Sequence, residues 1–440
     1  MWESPGGGCV TCQHGSSMYD WQARVAKRRT TRERNSDPKI PSHARTENSD
    51  ERRATSVELR ASSVTGSSIG ARELWRERWD LRSSRFCGCP ADRCAGRWGW
   101  RVQQQVKMGP LTVAPMGFGT WAWGNQLLWN YEPSMDAELQ QVFDLAVESG
   151  VNLFDTADSY GTGTLNGRSE LLLGRFIRDF QGSESKKNRI AIATKFAAYP
   201  WRLTPGQIVK ACKYARHFPI AVGSLGRLQL DQLGIGQLHW SAANYAPFQE
   251  RALWDGLVAV YQEGLVKAVG VSNYGPKQLT RVHSYLEKKG VPLSAVQIQF
   301  SLISYGPDQK EVKAICDDLG IKLIAYSPLG LGMLTGKYSA SNVPSGPRGA
   351  LFKQILPGLE NLQSVLASIA KRRNKSVSQV AINWCICKGA VPIPGVKSLS
   401  QARDNLGALN WRLSAQEVAR LEEAAATAPR GMIQNIFQTS

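Results

Sequence analysis

The stretch GVNLFDTADSYG, residues 150–161, decides how this chain is read. A run over 151–154 that is apolar except for Asn152 ends abruptly on Asp155, and Tyr160 follows five residues later. The run is too short for a helix and rich in branched and aromatic side chains, so it reads as a buried strand. Its polar end marks a strand terminus rather than a core position.

Working outward, the same pattern recurs. Strand candidates lie at 113–119, 151–157, 189–196, 233–239, 266–272, 295–300, 322–327 and 390–395. Helical patterns occupy 135–149, 169–180, 249–263, 277–289, 310–319 and 359–388. Short strands alternating with amphipathic helices signal a parallel α/β fold. Eight of them over residues 107–440 favour closure into a (β/α)8 TIM barrel, with chemistry at the carboxyl ends of the strands. A doubly wound open sheet is the alternative, but Gly117-Phe118-Gly119-Thr120-Trp121 after the first strand is not its GxGxxG fingerprint.

Read in order, the strand ends supply Asp155, Tyr160 just beyond the second strand, Lys195 and His239. Their chemistry is complementary. Hydride addition to a carbonyl leaves a developing alkoxide that needs a proton, and a tyrosine is a reluctant donor at its ordinary pKa near 10. A neighbouring ammonium stabilises the phenolate, and a carboxylate keeps that ammonium charged. A histidine at the same mouth can hydrogen-bond the carbonyl oxygen. Each residue alone has a plainer role as a loop cap, rim residue, ion-pair partner or core histidine. Four of them at successive strand ends reverse that weighting.

In these motifs the chain resembles the aldo-keto reductases along nearly all of residues 107–440. GVNLFDTADSYG looks like the family's Asp and Tyr motif, ATKF supplies Lys195 and QLHW supplies His239. The resemblance implies Tyr160 as general acid, Lys195 as the partner of its hydroxyl, Asp155 as the support of Lys195, and His239 as the group that orients the substrate carbonyl. It also implies NADPH. Ser272 and Asn273 in VGVSNY, with Gln297, match the nicotinamide carboxamide contacts, and Tyr326 matches the residue packed on the nicotinamide face. Ser327 and Leu329 would run along the pyrophosphate, and Lys337 and Arg348 lie in the segment that folds over the dinucleotide. Gly395, Lys397, Gln401 and Asn405 take the adenosine-phosphate positions, and Gly119, Thr120, Trp121 and Asp155 complete the expected cofactor contacts. A cation at Lys397 near a helix start suits the extra phosphate of NADPH. An aromatic pocket rim is expected from Trp121, Trp123, Trp129 and Trp240, with Trp123, Tyr160, His239 and Trp240 as substrate contacts. Val296 stands where many relatives carry Asn. Within the family, the wording of the body is similar to plant plastid-type, pyridoxal reductase-like members, which implies a chloroplast location, with the cytoplasm as the alternative.

Composition narrows the remaining classes. Of the 440 residues 42% are hydrophobic, ample for a large barrel, and the formal charge of +18 is spread over both the front segment and the body. Nucleic-acid binding through a concentrated basic face is therefore not favoured. No apolar run reaches the roughly 18 residues that span a bilayer, so no membrane partner is expected. Cys9 and Cys12 have no second pair at ligand spacing, so no metal site is expected. Residues 1–106 lack periodicity and are rich in Arg, Ser and Thr, which reads as a disordered basic extension, either a targeting segment or an artefact of gene prediction. Trp75, Trp79, Trp98 and Trp100 among its arginines would suit stacking on single-stranded nucleic acid, a reading set below the plainer one. A second irregularity is YARHFPIAVG at 214–223, where Pro219 forbids a continuous helix, so the segment either loops out or is a retained intron. The expected partner is a small carbonyl compound. The competing function is a cofactor-binding, redox-sensing regulatory subunit with little turnover.

Overall fold

The computed structural model describes residues 102, 104–161, 167–213, 223–429 and 438–439. The expectations for residues 1–101 and for 214–222 fall outside the described residues.

Strands β1 (Val106–Met108) and β2 (Leu111–Val113) form an antiparallel hairpin. Eight strands follow in a parallel sheet: β3 (Phe118–Gly119), β4 (Leu153–Asp155), β5 (Ala191–Phe196), β6 (Leu233–Leu238), β7 (Val266–Ser272), β8 (Leu293–Gln299), β9 (Lys322–Tyr326) and β10 (Val391–Ile393). Each pairs with its sequence neighbour, and the sheet closes where Gly117 and Gly119 donate to Pro392 O at 2.9 Å and Pro394 O at 3.1 Å. The barrel expected from the sequence is present.

The period-two alternation of strands explains what fills it. Leu153, Ala191, Ala193, Ile235, Ala268, Ala295, Ile324, Val391 and Ile393 form one apolar cluster with Met108 and Val113 of the hairpin. These inward residues are small or slender, as a barrel interior requires. Their neighbours Phe154, Ile192, Phe196, Leu238, Val269, Val271, Val296 and Ile298 belong to the larger outer cluster beneath the helices. Val296 is therefore turned away from the barrel interior, and an amide at that position would meet the helical layer rather than a ligand. Stepping two residues further along the inward register from Leu153, Ala193 and Ile235 gives Asp155, Lys195 and Gln237. Polar chemistry thus replaces hydrocarbon at the carboxyl end.

The covering helices include α1 (Asp136–Glu148), α2 (Arg168–Asp179), α3 (Pro205–Cys212), α4 (Ser224–Leu228), α5 (Glu250–Gln262), α6 (Pro276–Glu287), α7 (Pro307–Asp318), α8 (Pro347–Ile355), α9 (Glu360–Arg373), α10 (Val377–Cys387), α11 (Leu399–Leu406) and α12 (Ala415–Ala426). The stretch read as one helix over 359–388 is two, because Asn374 turns left-handed at φ 50° and Ser376 opens a capping box with Gln379. The hairpin went unread in the sequence, although Gly109 at φ 55° before Pro110 makes its turn. Helix α3 ends at Lys213 in extended conformation, and Gly223 abuts it: a Cβ on Gly223 would lie 1.5 Å from Lys213 O.

Behind β5, Glu170 of α2 is fully buried, takes a hydrogen bond from Thr194 at 2.5 Å and pairs with Arg227 of α4 at 2.6 Å. Thr194 precedes Lys195, so this pair pins the strand that carries the lysine. Removing one partner of a buried pair leaves an uncompensated charge, at a cost of about 3–5 kcal/mol. Arg227→Met is expected to lower the urea midpoint by a corresponding amount, and an unchanged midpoint would show that the pair has no structural weight.

Candidate active site

The end of β4 delivers Asp155 into the barrel, and β5 delivers Lys195 beside it. Both are almost completely buried, at 2% and 1% exposure. Lys195 Nζ lies 2.6 Å from Asp155 Oδ1 and donates to Thr156 O at 2.7 Å. The other carboxylate oxygen accepts from Gln297 Nε2 at 2.7 Å and from Gln237 Nε2 at 3.4 Å. Burial lowers the lysine's proton affinity, and attraction to Asp155 opposes that fall.

Tyr160 follows in a tight turn, its N–H donating to Ala157 O at 3.2 Å. Lys195 Nζ stands 4.8 Å from its ring centroid. The tyrosine is half-buried, with Trp121 at 6.5 Å and His239 at 5.8 Å between ring centroids. Burial pushes its hydroxyl well above the ordinary value and the Asp155 charge adds to the rise. The lowering expected from a neighbouring ammonium is thus not the net effect. The phenol holds its proton at neutral pH.

His239 extends β6, its N–H donating to Phe196 O at 3.0 Å. Nδ1 meets Ser159 Oγ at 3.4 Å. Burial, then the like charges of Lys195 and Arg202, hold the imidazole well below its ordinary value, so it is neutral at pH 7. Asp155, Tyr160, Lys195 and His239, distant in sequence, surround one mouth.

The positions expected to hold a nicotinamide gather beside them. Asn273, in left-handed conformation at φ 64°, donates through Nδ2 to His239 O at 2.8 Å and Ser272 Oγ at 3.2 Å. Its Oδ1 accepts from Tyr326 OH at 2.9 Å. Asn273 therefore ties β6, β7 and β9 together at the rim. Ser327 and Leu329 follow in an irregular turn, Ser327 at φ 51°. Gly119 and Gly395 bridge where the sheet closes, and a Cβ on Gly119 would lie 3.0 Å from Ile393 O. Thr120 is fully buried, bonding Asp155 O and Ser169.

Further out, Arg348 donates to Leu331 O at 3.2 Å and its guanidinium lies 4.6 Å from the Trp129 ring. Lys397 Nζ donates to Trp129 O at 3.1 Å. Burial, with repulsion from Arg348 and Lys337, lowers the Lys397 ammonium's proton affinity. These cations share one region, and Trp129 Nε1 between them is buried without a hydrogen-bond partner. Lys397 N–H donates to Gln401 Oε1 at 2.9 Å, closing the turn into α11, while Asn405 is buried on that helix.

Two of the expected substrate contacts, Trp123 and Trp240, are buried. Trp123 is fully buried, its indole N–H on Val396 O at 2.9 Å and its ring against Phe176, which places it in the packed wall. Trp240, 1% exposed, donates to Tyr245 OH at 3.0 Å and backs His239 from behind. Trp121 and Trp129, in T-shaped contact at 5.8 Å, are the half-buried aromatics of the rim. Gln237 was missed. Its signal was a polar residue at the inward register of an otherwise apolar strand. Among the described residues no cluster of potential metal ligands occurs and no helix is long and apolar enough to cross a membrane.

A sequence model of the Aldo/keto reductase family matches residues 115–426. The chain is 65% identical over 342 residues to the chloroplastic pyridoxal reductase of Arabidopsis thaliana, covering 78% of this chain and 90% of that protein. Among solved structures it is similar to a glycerol dehydrogenase from Gluconobacter oxydans, with a TM-score of 0.61, 22% identity, and coverage of 76% and 99%. A Bombyx mori aldo-keto reductase in complex with NADP aligns with a TM-score of 0.54 and 22% identity, covering 73% and 92%.

Because folding lowers the proton affinity of His239, the unfolded chain protonates first as the pH drops below about 6.5. The histidine's contribution to stability is therefore fully present above that pH and is lost below it, by up to about 1.4 kcal/mol per pH unit. His239→Asn should lose less stability than the parent between neutral and mildly acidic pH in urea titrations. Equal losses would mean that the imidazole is not held neutral.

Proposed function

The chain belongs to the aldo/keto reductase family, and from that premise we propose that it reduces aldehydes or ketones to alcohols with NADPH, Tyr160 serving as general acid. The observation that carries this reading is the buried Lys195–Asp155 pair beneath a protonated tyrosine and a neutral histidine at one barrel mouth. Its 65% identity to a chloroplastic pyridoxal reductase supports pyridoxal as the first substrate to test, and a chloroplast as the location, with residues 1–106 as a targeting extension.

The residues fit the dinucleotide. Arg348 and Lys337 both repel the Lys397 ammonium, and among the described residues no salt bridge to an acid engages these three cations, which suits phosphate groups. The closely paired Gly119 and Gly395 leave backbone, rather than side chain, facing the mouth. Ser272, Asn273 and Gln297 would hold the carboxamide, Tyr326 the nicotinamide face, and Lys397 with Arg348 the adenosine phosphate. When bound, NADPH supplies the hydride.

The chain's own residues do the rest. With Nδ1 on Ser159, His239 keeps Nε2 for the carbonyl oxygen, aligning it and sharing its developing charge. Tyr160 gives its proton to that oxygen. The phenolate left behind has the Lys195 ammonium over its ring face, and Asp155 keeps that ammonium charged in the dry interior. Trp121 and Trp129 wall the approach and exclude water.

Positioned proton transfer contributes about 100- to 10,000-fold. Tyr160→Phe should lower kcat for pyridoxal or a generic aromatic aldehyde by at least about 100-fold while leaving NADPH binding, followed by protein fluorescence, nearly unchanged. Retained turnover would remove Tyr160 from the role. Tight NADPH binding by the parent protein without turnover on any carbonyl compound would favour the regulatory-subunit reading instead.

A further inference from the structure

The Asp155 carboxylate is gripped on both oxygens. Oδ1 faces Lys195, and Oδ2 receives amide N–H groups from Gln297 on β8 and Gln237 on β6. Gln297 stands where the cofactor is held, but Gln237 has no such duty. It is fully buried, and in the sheet it is the direct register partner of Lys195 on one side and of Gly270 on the other. Its Oε1 has no hydrogen-bond partner.

That orphan oxygen is informative. Exchanging the amide's nitrogen and oxygen would aim a carbonyl at a carboxylate, two acceptors with no proton between them, so the carboxylate dictates the orientation seen. An interior apolar residue would fill the same space without burying an unsatisfied acceptor. Gly270 opposite makes room: a Cβ there would stand 3.0 Å from Gln237 Cγ. A glutamine that is costly to bury, with its neighbour reduced to glycine to admit it, is arranged around Asp155.

We propose that Gln237 is a positioning residue that, paired with Gln297, fixes the rotation of the Asp155 carboxylate so that Oδ1 stays on the Lys195 ammonium beneath Tyr160. The proposal rests on the reductase reading for its kinetic consequences, but not for its structural one. Besides Asp155, the titratable groups acting on Lys195 or responding to it are Glu170 and Asp158 on one side and His239 on the other, with Tyr160 above it.

The test compares the full-length protein with Gln237→Met and Gln237→Glu. Methionine fills the space but donates nothing. Glutamic acid donates to Oδ2 when protonated, as glutamine does, and repels it when ionised. Gln237→Met is expected to lower kcat about tenfold, with NADPH affinity by fluorescence within about twofold. Gln237→Glu should be more impaired than Gln237→Met at about pH 8, and its kcat relative to the parent should recover as the pH falls to about 5.5, whereas the methionine ratio stays flat. A glutamate variant without that recovery, or NADPH affinity falling in step with kcat, overturns the proposal, because residue volume or cofactor binding would then account for the effect. A second measurement needs no turnover. In protein labelled with 15N-lysine, the Lys195 ammonium signal, identified by its loss in Lys195→Met, should shift in Gln237→Met, and an unmoved signal overturns the proposal. A parent protein without carbonyl reduction would count against the function proposed above, and the lysine signal would still decide the role of Gln237.

Discussion

The ion pair of Lys195 and Asp155 constrains everything around it. Two charges nearly sealed from solvent carry a desolvation penalty that attraction offsets only when geometry is good and every remaining proton and lone pair is satisfied. Here Thr156 O takes a second lysine proton, and two side-chain amides take the second carboxylate oxygen. The pair leaves the tyrosine hydroxyl raised, chiefly through burial and then through the Asp155 charge. On the reading proposed above, it stands by as a charge that matters once the phenol has given up its proton. Under that proposal the stabilisation is held for the transition state rather than for the resting state.

The barrel makes this arrangement possible by a simple periodic rule. Alternate residues of every strand face inward, and along that register hydrocarbon gives way to acid, ammonium and amide at the carboxyl end. One sheet thereby supplies a dry floor and a polar ceiling with no change of architecture. Outward positions do the opposite task, anchoring helices through Phe154, Phe196, Val271 and Ile298. The ion pair of Glu170 and Arg227 belongs to this outer layer, yet it reaches the site because Thr194 and Lys195 are consecutive.

Much of this was legible before any coordinates. An apolar run that breaks on a polar residue announces where a strand is ending, so the placement of Asp155, Lys195 and His239 at strand ends is readable from local contrast, as are the eight strands. What escaped was whatever depends on which way a side chain turns. Trp123 and Trp240 stand beside rim residues in sequence, but one faces the packed wall and the other lies behind His239, and adjacency cannot separate those outcomes. Gln237 was hidden for the converse reason, since the strand looked uniformly buried and only the register shows that its amide reaches Asp155. The rise of the Tyr160 hydroxyl is not legible in the sequence because it comes chiefly from burial and then from the Asp155 charge, and local residue pattern carries neither.

The meeting of Lys213 and Gly223 carries a separate lesson. The two flanks abut, and β5 and β6 pair in continuous register from Ala193 opposite Ile235 to Phe196 opposite Leu238. Closing a longer loop costs only a slowly growing entropy. The abutting flanks thus offer a place to graft a tag or a reporter peptide at small entropic cost.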